Sequence, residues 1–199
     1  MIRRPTTKDV LAASLRELAR TNSVDRISIR EIADNCALTP TTFYNHFENK
    51  YALMAWIYNQ RIEPFVLGLG ETNSWRSFLY EAASTLEEDR AFFSNALTNT
   101  EGSNSFRRAT NDYAIELINE RLEALSEGKR PSESVRFLVK FYMRAVSDTI
   151  EEWFLKGRER MPLSELVGLM MAGIPQQLRP YIEYEGLDGE APLPDCPNR

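Results

Sequence analysis

The chain has 199 residues, 43% of them hydrophobic and 11% aromatic, which excludes wholesale disorder and leaves room for one compact domain or a small domain attached to a larger one. No run of about 18 apolar residues occurs, and Asp9, Arg16 and Glu17 interrupt the first turns of chain, so no membrane-crossing helix or signal peptide is expected and a cytoplasmic location is. The net charge of −5 is uneven: residues 1–50 carry 8 Lys and Arg against 6 Asp and Glu, residues 51–199 carry 16 against 23, so only the N-terminal quarter suits a polyanion.

The pattern is helical nearly throughout. Leu11, Leu15, Leu18 and Ala19 stand at i, i+4, i+7 and i+8, predicting a helix over about 8–20 that Thr21-Asn22-Ser23 ends. Ser28 with Glu31 three residues on has the form of a capping box, and Ile29, Ile32, Ala33 and Cys36 give the helix behind it an inner face. Thr39 then offers a second cap and Pro40 suits the first helical position, where a missing N–H costs nothing. This helix is expected to run through Phe47, with Asn49 capping the next one from Lys50 to about Ile62. Pro64, Gly68 and Gly70 mark 63–73 as a domain boundary. Further helices are predicted near 74–90, 91–99, 104–126, 132–156 and 162–182, with Ser74 and Ser132 as caps and Pro175 kinking or restarting the last. Residues 185–199, with two Gly and three Pro, read as a loose tail.

Two short helices near 29–36 and 40–47, joined by a few residues, have the layout of a helix-turn-helix, whose second helix enters the major groove of DNA. Leu38, Phe43 and Phe47 point inward in this reading, and Thr41, Tyr44 and Asn45 occupy the opposite side. Asn can bond an adenine edge in two places. An ammonium on Lys50, beside the free N–H groups of a helix start, suits a phosphate.

The run Thr42, Phe43, Tyr44, His46, Phe47, Lys50 and Leu53, within IREIADNCALTPTTFYNHFENKYALM, resembles the DNA-binding domain of the tetracycline-repressor-like (TetR) family of transcriptional regulators. The likeness spans about residues 6–60. Phe137, Leu138, Val139, Lys140, Phe141 and Tyr142, followed by Trp153, Gly157 and Pro162, are similar to a subgroup associated with dihydroxyacetone-kinase regulation. The resemblance implies an all-α fold: an N-terminal three-helix helix-turn-helix DNA-binding domain (1–62), a larger helical ligand-binding and dimerisation domain (63–184) and a disordered tail (185–199). It also implies a homodimer on a near-palindromic operator, joined through the helices at about 132–156 and 162–182, acting as a repressor and released by a small-molecule inducer. Carried over residue by residue, Thr42, Tyr44, His46 and Lys50 become phosphate contacts, Pro40, Thr41 and Asn45 face bases, and Ser28 offers its hydroxyl or N–H to a phosphate. Ala37 stands where the family often has Gly in the turn, so a mildly strained turn is expected.

The chemical inventory points away from catalysis. His46 is the single imidazole, and Cys36 and Cys196 lie 160 positions apart, so no zinc-type cluster, disulfide framework or cofactor is expected. Neither a G-x-S-x-G nor a phosphate-binding Gly-rich spacing occurs. The dense carboxylate groups Glu87-Glu88-Asp89 and Glu151-Glu152 read as solvated helix surface. The aromatics of the C-terminal part identify no ligand. An alternative from another class is a coactivator or adaptor that keeps this scaffold and acts through a protein partner.

Overall fold

The computed structural model describes residues 4–102, 105–157 and 161–182. Among these it contains α1 (Thr7–Leu18), α2 (Ile29–Asn35), α3 (Pro40–Tyr44), α4 (Lys50–Leu67), α5 (Trp75–Glu88), α6 (Arg90–Thr98), α7 (Phe106–Leu125), α8 (Glu133–Glu152), α9 (Leu163–Ala172) and α10 (Arg179–Ile182), with no named strand. The fold is all-α. The expected loose tail at 185–199, and Cys196 with it, lies outside the described residues.

Most start signals are realised atom by atom. The hydroxyls of Ser28, Thr39, Ser74 and Ser132 accept from the N–H three residues on, as does the side-chain carbonyl of Asn49. Each satisfies one of the donors a helix start leaves orphaned. Stop signals are realised less evenly. Pro64 does not end α4, which continues to Leu67, because a proline so near a C-terminus removes a single backbone bond. The chain leaves the helix at Gly68, where Thr72 and Asn73 fold back and leave no room for a Cβ. The predicted helix at 132–156 is α-helical to Glu152 and then passes into a π turn, Trp153–Gly157, in which the consecutive rings of Trp153 and Phe154 are both buried. The predicted helix at 162–182 stops at Gly173, and Pro175 precedes a 3₁₀ turn, Gln176–Leu178, that leads into α10.

Packing groups the described residues into two units. The first takes the chain up to Tyr58 together with Asp89–Thr110, so α6 packs with the N-terminal helices although about thirty residues separate them in sequence. Its core holds Leu11, Leu15, Val24, Ile32, Phe43, Leu53 and Ile57, and a second cluster in which the rings of Tyr58, Phe93 and Phe106 meet edge to face or tilted. The second unit takes Asn59–Glu88 and the described residues from Asn111 on. There α5 packs along α9. Trp75, Phe78, Val139, Tyr142, Val146, Leu166 and Val167 are buried.

Candidate nucleic-acid interface

The α2–α3 pair is built on α1. The Ser14 hydroxyl, buried, donates to the carbonyl of Ile32 at 2.7 Å, and the Asn35 amide donates to Ser14 Oγ and Glu17 Oε2, both at 3.2 Å. At its C-terminus α2 ends in a Schellman turn. Leu38 N–H donates to Ala33 O at 2.9 Å and Ala37 N–H to Asp34 O at 3.1 Å, with Ala37 at φ +56°. The expected strained turn is therefore present, and Ala occupies the left-handed position that glycine takes at no steric cost.

The second helix is very short. Only Pro40–Tyr44 is regular α-helix, and Asn45 and His46 lie in the closing turn, where His46 N–H and Phe47 N–H both donate to Phe43 O. Its anchors are Phe43, fully buried, and Phe47, 6% exposed, whose ring centroids are 5.9 Å apart. Phe47 in turn packs on Trp56 of α4, and the Lys8 ammonium lies over both rings.

With those two rings turned in, the helix presents Thr41, Tyr44, Asn45 and His46 outward, all exposed. Tyr44 is 58% exposed, a large ring that meets only the edge-to-face ring of Phe43 beside it at 5.8 Å. Pro40 and Thr42 are half-buried, and the Thr42 hydroxyl lies 2.9 Å from that of Thr39. Thr41, Tyr44 and Asn45, at i, i+3 and i+4, thus lie together on the side opposite Phe43, and His46 is exposed in the turn that follows.

Ser28 and Lys50 stand differently. Ser28 is exposed, but its N–H and its hydroxyl both donate to Glu31 Oε2 at 2.7 Å. A phosphate arriving there meets donors already turned toward a carboxylate. These bonds from Ser28 hold the Glu31 carboxyl below its ordinary 4.5. Lys50 Nζ donates to Asp25 O at 2.6 Å and Ile27 O at 2.7 Å, which leaves one N–H of three for any other partner. Partial burial lowers its pKa, opposed by the charges of Asp25 and Glu31. Sequence reasoning did not single out Asp25 or Ile27 as partners of Lys50. The capping-box spacing pointed to Glu31, whereas two backbone carbonyls 23 and 25 positions from Lys50 carry no sequence signal.

Among the described residues no cluster of His, Cys, Asp or Glu has the arrangement of a metal site, and no helix is long and apolar enough to cross a membrane. Cys36 is half-buried, with its thiol donating to Ile32 O and Ala33 O.

Comparison with known proteins bears on the fold and the family. The sequence model of the "Bacterial regulatory proteins, tetR family" matches residues 10–56, and that of a "Transcriptional regulator C-terminal region" of TetR type matches residues 73–170. The transcriptional activator of the dhaKLM operon, DhaS of Lactococcus lactis, is 20% identical over 169 residues, 84% of this chain and 90% of the relative. A TetR regulator from Rhodococcus sp. RHA1 superposes with a TM-score of 0.59 at 16% identity, covering 85% of this chain and 94% of its own. NalD of Pseudomonas aeruginosa, the secondary repressor of the MexAB-OprM efflux pump, gives 0.54 at 21% identity over 85% and 97%.

Proposed function

The chain belongs to the TetR family of DNA-binding transcriptional regulators, whose members act as dimers and are not enzymes, and on that premise we propose that it is a sequence-specific repressor gripping a near-palindromic operator as a homodimer. In this reading residues 1–62 bind DNA and 63–184 carry regulation and dimerisation. The observation that carries it is the sorting of α3 and the turn after it: Phe43 and Phe47 are sunk in the core while Thr41, Tyr44, Asn45 and His46 are exposed. Two such faces, one per protomer, would enter major grooves about 34–36 Å apart, one duplex turn.

The contacts divide by chemistry. Asn45 and Thr41, with Pro40 beside them, are the groups for base edges, since a carboxamide reads adenine at two atoms. Thr42, Tyr44, His46 and the remaining N–H of Lys50 serve phosphates, and Ser28 serves one if Glu31 yields its donors. Phosphate neutralisation supplies the affinity and the base contacts choose the site. The partner surface is α8 with α9, the helices foreseen for dimerisation. Phe137 and Phe141 are 66% and 61% exposed on α8, their rings stacked at 6.3 Å and 12°, and Leu169 on α9 is 56% exposed. Release by a small molecule taken up in the C-terminal part completes the proposed cycle.

Activation in place of repression is a second reading, favoured by the similarity to DhaS, an operon activator.

Fluorescence anisotropy with the DNA upstream of the protein's own gene, and with a random duplex of equal length, tests the proposal. Lys50→Ala weakens both duplexes alike and flattens the dependence on salt by about one ion. Asn45→Ala relaxes preference at one operator position by about 1–3 kcal/mol and leaves random-duplex affinity unchanged. If the wild type binds no duplex even at low salt, the adaptor reading replaces this one. Reporter transcription from the bound promoter separates repressor from activator.

A further inference from the structure

Asn95, in the middle of α6, lies 48 residues beyond Phe47, where the helix-turn-helix motif ends, yet three of the four hydrogen bonds of its side-chain amide go to the connection between α1 and α2. Its amide nitrogen donates to Ala19 O at 2.9 Å and to Asn22 O at 2.7 Å. Its amide oxygen accepts from Val24 N–H at 3.0 Å and from the Asn99 side chain, also at 3.0 Å. Two donors and two lone pairs are all a carboxamide possesses, so every one is used. Asn99 braces the arrangement by also donating to the Asn95 carbonyl at 3.1 Å.

Between the end of α1 and Ser28 the connection turns through Arg20 N–H to Glu17 O, Thr21 N–H and Asn22 N–H to Leu18 O, and Arg26 N–H to Ser23 O, with Val24 and Ile27 as its buried anchors. The Asn22 side chain also donates to Leu18 O and to the Thr21 hydroxyl, and the Ser23 hydroxyl donates to Asp25, so its local bonds are confined to near neighbours. Lys50 holds its far end through Asp25 O and Ile27 O. Asn95 and Lys50 therefore take five main-chain groups of one short segment between them, at opposite ends. That segment delivers the chain to the N-cap of α2, and α2 carries the turn into α3.

We propose that Asn95 is a positioning residue for DNA binding: with Lys50 it forms a two-ended clamp on the α1–α2 connection that fixes where α2 and α3 present their DNA-facing groups. It makes no contact with DNA itself. Arg16, which pairs with Asp89 at 3.1 Å and lies over Phe92, adds a second tie between α1 and the α6 region on the same side. The inference rests on the DNA-binding reading for its consequence, and on the hydrogen bonds alone for the clamp.

The test uses the full chain with Asn95→Ala, Asn95→Leu (similar volume, no hydrogen bonds), Lys50→Met and Tyr44→Ala, and a random 30-bp duplex at low salt, at a temperature where each variant is folded by circular dichroism. Either Asn95 variant is expected to weaken binding about three- to thirtyfold with the salt slope unchanged, and to speed amide exchange at Val24. A loss of general stability predicts additive effects with every partner. The clamp predicts that Asn95→Ala and Lys50→Met together cost less than the product of their separate factors, whereas Asn95→Ala and Tyr44→Ala multiply. Unchanged affinity, or full additivity with Lys50→Met, overturns the proposal. Should both Asn95 variants fail to fold, Val24 exchange in the wild type decides: an unprotected amide sinks the clamp. If the wild type binds no duplex, the DNA-binding reading has failed, and Val24 exchange in Asn95→Ala still judges the clamp.

Discussion

Ala37 is a non-glycine residue in the left-handed region, at the position after the C-cap of α2. The strain is about 1–2 kcal/mol for a residue with a Cβ, and glycine in exchange adds about 0.4–1 kcal/mol of unfolded-state entropy to be lost. Ala37→Gly should therefore stabilise the protein by about 0.5–1 kcal/mol, read as a higher midpoint in urea with an unchanged slope. A lower midpoint would mean that the turn holds its shape for reasons other than φ. The strain was legible in the sequence through the missing Gly alone. The roles of Ser28 and Lys50 were legible only in part: the residue types suit phosphate, but the structure commits most of their donors to Glu31, Asp25 and Ile27.

At the scale of elements, Tyr142 ties α8 to α9 by donating to Met170 O at 2.7 Å. Burial pushes its phenol up to about 12 from an ordinary 10. A raised folded-state pKa means that the folded chain holds this proton more tightly. Its contribution to stability is complete below pH 10 and is lost as pH rises from 10 through about 12. Tyr142→Phe should cost about 1 kcal/mol at neutral pH and make stability less steeply dependent on pH above 10, checked by urea melts across that range. An equally steep alkaline loss in the variant would assign the effect to other groups. Helix starts were readable from single residues, because a cap is a local bond between neighbours three apart. The ends of α4, α8 and α9, at Leu67, Glu152 and Ala172, are not written in single residues in this way, and there the expected boundaries moved.

For the whole molecule, the exposed Phe137, Phe141 and Leu169 are the features that an isolated chain leaves unexplained. On the proposed α8–α9 interface, burying one Phe side chain is worth about 1.5–3 kcal/mol, so Phe137→Glu with Phe141→Glu should remove at least about 3 kcal/mol from association. That raises the dimer dissociation constant at least about a hundredfold, visible by analytical ultracentrifugation. Each variant chain should keep its helical circular dichroism, since neither ring belongs to the core. A variant that sediments as the wild type does would move the dimer interface away from α8.

The sequence by itself determined the all-α class, the capped starts and the sorted faces of α2 and α3, because periodicity and capping are short-range and each is written within a few residues. Tertiary structure decided that α6 belongs with the N-terminal helices, that Asn95 serves the α1–α2 connection and that Lys50 grips main-chain carbonyls. These pairings join groups 23 to 76 positions apart. A side-chain amide or ammonium bonds any backbone carbonyl equally well, so no residue type at the far end announces the partner, and only the folded path of the chain selects it.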